Sequence, residues 1–292
     1  MKGIVLAGGA GTRLHPMTLS ISKQMLPVYD RPMIYFPLST LMQAGVREIL
    51  IISTPNDLPG FQRLLGTGEK WGMSFSYAEQ PRPEGIAQAI VIAEPFLNGD
   101  SAALILGDNI FHGAGLGGSM RRAAGRQHGA TVFAYRVADP ERFGIVAFDD
   151  ESNAISLEEK PANPLSNWAV TGLYFYDAKC VELVRQIQPS PRGELEITDL
   201  NRLYLERGEL FVERMGRGTA WLDSGTPDSL IDAASYVRAL ENRQGERIDC
   251  PEVIALENGY ITRDELETLG AELGKSGYGQ YLIRVAEEFG RR

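Results

Sequence analysis

Short apolar runs alternate with helically spaced segments along the first half of the chain. Gly3 to Ala7 reads as a buried strand running directly into the glycine loop Gly8 to Gly11. Pro32 to Ala44 has helical spacing and stops at Gly45, which suits a left-handed cap, while Pro37 predicts a kink or a later start. Strands follow over residues 48–52 and 73–78, a helix over Ile86 to Ala93, and a strand over Ala102 to Leu106 that ends at Gly107-Asp108. This alternation predicts an α/β fold with a mostly parallel central sheet flanked by helices. Ligands of such sheets sit beyond the carboxyl ends of the strands. The glycine loop and Asp108 both fall there.

The middle of the chain has a different rhythm. Thr131 to Val137, Gly144 to Phe148, Ala154 to Leu157 and Trp168 to Tyr176 read as strands with no long helix between them. They are expected to extend the same sheet. Helical patterns return at Ala178 to Gln188, Glu194 to Glu206 and Ser229 to Asn242, then at Thr262 to Leu273 and Tyr278 to Phe289. The expected organisation is one domain over 1–242, with two halves that meet at about residue 110. Residues 243–292 would form a helical C-terminal extension. The glycine-rich run Gly113 to Gly118 reads as a loop.

Composition narrows the classes. The chain has 292 residues, 43% hydrophobic and 23% charged, within the globular range. A net charge of -9 opposes nucleic acid or an anionic membrane as the main partner, so a nucleotide would need a local pocket of Lys and Arg. Cys180 and Cys250 have no metal-ligand spacing and read as reduced thiols of a cytoplasmic protein. No apolar run approaches the roughly 20 residues that span a bilayer.

In Leu6-Ala7-Gly8-Gly9-Ala10-Gly11-Thr12-Arg13-Leu14, backbone N–H groups without bulky Cβ atoms can wrap phosphate oxygens, and Arg13 adds a planar donor fork. The loop lacks the Gly-Lys-Ser/Thr of a P-loop and the GxGxxG of a dinucleotide site. Glycines alone would fit any tight turn. Pro16, Thr18 and then Lys23-Gln24-Met25-Leu26-Pro27 place a second cation within reach of the same phosphates. This combined signature resembles the sugar-1-phosphate nucleotidylyltransferases. The resemblance runs from the glycine loop to Gly277-Tyr278-Gly279-Gln280-Tyr281-Leu282 near the end of the chain.

The resemblance implies a Rossmann-like fold and transfer of a nucleotidyl group from a triphosphate to a hexose 1-phosphate, with Mg2+ as cofactor. The nearest pattern is that of members using dTTP and glucose 1-phosphate at the start of dTDP-rhamnose synthesis for lipopolysaccharide O-antigen. Gly8, Gly9, Gly11, Thr12, Gln24 and Asn109 would hold the nucleotide, together with Arg13 and Lys23. Asp108 of Gly107-Asp108-Asn109 and Asp223 of Trp221-Leu222-Asp223 would bind Mg2+. The second of these aspartates reads as part of a turn. In Glu158-Glu159-Lys160-Pro161, Lys160 would hold the sugar phosphate and Glu159 the sugar hydroxyls, with Phe143, Gly144, Val170 and Trp221 lining the hexose. Phe143 stands where many members have tyrosine, and Ala10 where serine is usual. Gln80 and the backbone at Gly85 would read the base, although the imide edge is identical in thymine and uracil. A homotetramer with feedback inhibition by dTDP-rhamnose is also implied, near Gly115, Arg217, Glu252 and Ile254. Other readings are UTP or another hexose 1-phosphate as substrate, and a non-catalytic regulatory homologue.

Overall fold

The computed structural model describes residues 1–9 and 11–289; Ala10 lies outside the described residues. Thirteen strands alternate with helices in the first half and crowd together in the second. The first part of the chain contains β1 (Lys2–Leu6), β2 (Pro27–Val28), β3 (Arg31–Pro32), α1 (Tyr35–Gln43), β4 (Glu48–Ser53) and α2 (Leu58–Leu65). It continues with β5 (Ser74–Glu79), α3 (Gln88–Leu97), β6 (Ala102–Leu106), β7 (Asn109–His112) and α4 (Leu116–Ala124). Then come β8 (Ala130–Arg136), β9 (Gly144–Phe148), β10 (Ala154–Glu159) and β11 (Trp168–Tyr176). After α5 (Cys180–Val184) and α6 (Ile197–Glu206) lie β12 (Leu210–Arg214) and β13 (Ala220–Asp223). The chain ends in α7 (Pro227–Gln244), α8 (Pro251–Glu257), α9 (Arg263–Glu272) and α10 (Gly277–Phe289).

The central sheet has the order β10-β9-β11-β6-β1-β4-β5, with β8 and β12 branching from β11. Strands β6, β1, β4 and β5 pair in parallel, as the alternating first half predicts. Strand β11 runs antiparallel to β6 and joins the later strands to the same sheet. The parallel strands are apolar on both faces because both are covered. Ile4, Leu50 and Leu104 enter one core beneath α3, α5 and α6. Their neighbours Val5, Ile49 and Ile105 enter the other, shared with α1, α4 and the C-terminal helices through Leu256, Leu266 and Leu282. Among the described residues, no helix is long and apolar enough to cross a membrane.

Three expectations change. The run Gly113 to Gly118 is not a loop throughout, because α4 starts at Leu116 behind a left-handed Gly115. Burial of Leu116, Met120 and Ala123 stabilises that helix despite its two glycines. The helix expected over 178–188 shortens to Cys180–Val184. Asp223 closes strand β13, whose register places it opposite Asn109 of β7.

Candidate active site

The carboxyl ends of the strands open onto a cleft of about 300 Å³. Leu6 and Leu106, in register across β1 and β6, form its floor, so the residues after each strand must border it. After β1 comes Gly8, and after β6 come Asp108 and Asn109. Along β11 the period of two brings Val170, Gly172 and Tyr174 to the same wall. Arg13, Lys23, Gln24, Phe143, Gly144, Glu159, Lys160, Trp221 and Asp223 also line it. Residues distant in sequence thus line one cleft. Gly9, Gly11 and Thr12 belong to the adjoining loop without lining the cleft, and Gly11 adopts φ +58, a left-handed turn that favours glycine.

Two aspartates meet at the centre. Ser224 donates its backbone N–H to the Asp108 carbonyl at 3.2 Å, tying β13 to the turn after β6. Lys23 forms a charge-assisted hydrogen bond with Asp108, and Asn109 donates to the same carboxylate at 3.0 Å. Burial pushes the Asp108 carboxyl up, but the Lys23 charge and these hydrogen bonds outweigh it and hold it below the usual carboxylate value. Asp223 goes the other way. Burial first, then the Asp108 charge, raises its carboxyl, and Lys23, Arg13 and Arg142 offset only part of this. Gly225 leaves room for these groups: a Cβ there would stand 2.9 Å from Asp223 Oδ1 and 3.0 Å from Arg13 Nη2.

Asn109 is the hinge between the walls. Its Oδ1 accepts from Trp221 Nε1 at 2.6 Å and from the Gly172 N–H at 3.2 Å. The Trp221 ring lies 5.3 Å from Phe143 and 5.9 Å from Tyr135, which fixes it as a rigid apolar wall. Facing it, Glu159 pairs in register with Gly144. Its carboxylate accepts from Thr198 at 2.6 Å and lies 3.5 Å from Lys160 Nζ. Lys160 is left-handed at φ 44 and anchored by its N–H to the Phe143 carbonyl at 3.0 Å.

Gln80 does not line the cleft; it is buried behind Gly8, whose added Cβ would stand 2.0 Å from Gln80 Oε1. Gly85, at φ +105, leaves no room for a side chain against the Leu195 backbone. Of the four residues expected near a regulatory site, Ile254 borders a groove of about 680 Å³ with His112 and Asp249. Glu252 borders a different hollow and accepts from Tyr278 at 2.6 Å. Gly115 and Arg217 line neither.

The comparisons with known proteins decide the family. Residues 2–239 match the profile of the nucleotidyl transferase family. The chain belongs to that family. It is 56% identical over 285 residues to the glucose-1-phosphate thymidylyltransferase of Neisseria gonorrhoeae, covering 98% of this chain and 99% of that one. It is 55% identical over 287 residues to the glucose-1-phosphate thymidylyltransferase of Mycobacterium tuberculosis, with 98% and 99% covered. A crystal structure of a candidate glucose-1-phosphate thymidylyltransferase from Bacillus anthracis, in complex with sucrose, is 42% identical with a TM-score of 0.76. That likeness covers 82% of this chain and 95% of that one. A UDP-glucose pyrophosphorylase with UDP-glucose shares the fold at a TM-score of 0.70 and 24% identity.

Several residues in or beside the cleft of this nucleotidyl transferase escape a motif-based reading. Arg142 lines the cleft, lies 5.4 Å over the Phe143 ring and donates to Asp139 at 2.6 Å. Arg192 approaches Glu159 at 3.6 Å from the loop before α6. Thr198 lies in the first turn of the same helix. An arginine directly before Phe143-Gly144 was a usable signal; the contacts of Thr198 and Arg192 with Glu159 depend on packing alone.

Proposed function

We propose that this chain transfers the thymidylyl group of dTTP to glucose 1-phosphate, giving dTDP-glucose and pyrophosphate. The observation that carries it is the meeting of Asp108, in the turn before β7, with Asp223, at the end of the paired strand β13, in a cleft that Arg13, Lys23 and Lys160 also line. Halves of about 1–110 and 111–242 would supply the nucleotide and sugar-phosphate walls.

The donor set fits Mg2+. Two hard carboxylates stand close enough for one to raise the other, a repulsion that a divalent cation relieves. Among the described residues no third His, Cys, Asp or Glu joins them, which leaves coordination to phosphate oxygens and water, as this ion prefers. Bound between them, the ion would supply charge neutralisation at the α-phosphate and orient it.

The protein's own groups do the rest. Arg13 and Lys23 hold the triphosphate and the leaving pyrophosphate; Lys160 screens the approach of a second anion. Gln80 reads the imide edge, and Gly85 gives the base a close backbone approach. Glu159 accepts sugar hydroxyls, and the aromatic pair Trp221 and Phe143 packs against the hexose. The sugar phosphate is already an anion, so its oxygen attacks the α-phosphorus in line without a general base. Catalysis is then positioning and electrostatic stabilisation.

The test is pyrophosphate release from the purified protein with Mg2+ and glucose 1-phosphate, comparing dTTP with UTP, CTP, ATP and GTP. Release with dTTP and recovery of dTDP-glucose support the assignment. Release with UTP alone overturns the base; no release with any triphosphate overturns the reaction. The reading extends to the first step of dTDP-rhamnose synthesis, a homotetramer, and feedback by dTDP-rhamnose near the groove bordered by Ile254. Inhibition of release by that nucleotide sugar tests the last point.

A further inference from the structure

A glutamine amide can be turned either way, and its orientation decides which base it recognises. With Oε1 facing N3 of a pyrimidine and Nε2 facing the 4-position, it pairs with the N3–H and O4 of thymine or uracil. Turned over, it pairs with the N3 lone pair and the N4 amino group of cytosine. The base reader Gln80 therefore needs a reference that cannot turn.

That reference is present. Gln80 Nε2 donates to Gln88 Oε1 at 2.7 Å, so the orientation of Gln80 is inherited from Gln88. Gln88 is held at two points. Its Oε1 accepts from the Glu84 backbone N–H at 3.1 Å, and its Nε2 donates to the Glu84 carboxylate at 2.9 Å. A backbone N–H can only donate and an ionised carboxylate can only accept. Reversing Gln88 would set N–H against N–H and carbonyl against carboxylate. Gln80 must then offer an N–H to Gln88 and keep its Oε1 on the opposite side, against Gly8 at the cleft wall. Burial of Gln80 makes any mismatch costly, because water cannot repair it.

We propose that Gln88, at the first turn of α3, is a positioning residue that sets nucleotide specificity by locking the Gln80 amide in the orientation that accepts an imide base and rejects cytosine. The proposal rests on Gln80 as base reader. Gln88 acts through Gln80 and contacts no substrate.

The test compares kcat/KM for dTTP and dCTP, with glucose 1-phosphate and Mg2+, in the wild type, Gln88→Met, Gln88→Glu and Gln80→Ala. Gln88→Met removes both anchor points, and the dTTP:dCTP ratio should fall about 10- to 100-fold, partly through a gain with dCTP. Gln88→Glu still accepts from Gln80 and from the residue 84 N–H; made together with Glu84→Gln, which removes the like charge facing it, it should keep the ratio within about threefold of wild type. A merely structural role would lower both nucleotides together and leave the ratio unchanged. An unchanged ratio in Gln88→Met, beside a lost ratio in Gln80→Ala, overturns the role of Gln88. An unchanged ratio in Gln80→Ala overturns the base reading itself.

Discussion

The two walls of the cleft are built differently. On the nucleotide wall, parallel strands end in tight turns, and the Lys23 and Asp108 side chains are only 15% and 10% exposed. On the sugar wall, antiparallel strands carry Lys160 and Glu159, whose side chains are 47% and 26% exposed. A buried charge is held by its partners, so changing one disturbs the rest. An exposed charge is screened and replaceable. Under the proposed function, the nucleotide wall would be a fixed template for triphosphate and the sugar wall an open, adjustable surface.

The largest effect should come where the walls join. Asp223→Asn should lower kcat for pyrophosphate release by about 10²–10³, the loss typical of a preorganised electrostatic contact. The same change should raise the melting temperature without Mg2+, since it removes the like charge facing Asp108. Calorimetry showing a destabilised variant would break that part of the account. Next, Lys23→Ala should cost about 10² in kcat and about 3 kcal/mol of stability, because it strands a buried carboxylate. Turnover near wild type would mean that the nucleotide wall is not the template described. Lys160→Ala should instead raise KM for glucose 1-phosphate about tenfold and leave stability within about 0.5 kcal/mol. Equal stability losses in the two lysine variants would erase the distinction between the walls.

The smallest effect concerns pH. Asp223 has a raised carboxyl, so the folded state without metal holds that proton to higher pH than the unfolded chain does. Stability from this group is therefore present at low pH and lost as the pH rises through the raised value. Asp108, held low, contributes with the opposite sign. Mg2+ competes with the Asp223 proton, so its stabilising effect should grow as the pH rises through the raised Asp223 value. Replacing Asp108 with Asn should move that onset to lower pH. Thermal melts with and without Mg2+ would show a flat response if Asp223 is no ligand.

Much of the nucleotide wall was legible in the sequence because its residues are local. A strand, glycines, Arg13 and Lys23 lie within one short stretch, and apolar runs marked the parallel strands to within a residue or two. The partnership of Asp108 and Asp223 was legible only through family resemblance, since no spacing rule joins β7 to β13 across the intervening sheet. Helix α4 was missed because two glycines outweighed its buried leucine and methionine in a local reading. Thr198 was invisible for another reason: its partner Glu159 is set by tertiary packing. Gln80 was read from its motif, but the orientation of its amide is a property of the network around it.

The account centres on direct transfer between two substrates held on opposite walls. Exchange of labelled pyrophosphate into dTTP tests it most directly. With Mg2+ and dTDP-glucose present, label should enter dTTP; with dTTP and Mg2+ alone it should not, because no nucleotidyl-enzyme forms. Exchange without any sugar nucleotide would demonstrate a covalent intermediate, and exchange under neither condition would deny the reaction; either result contradicts the account.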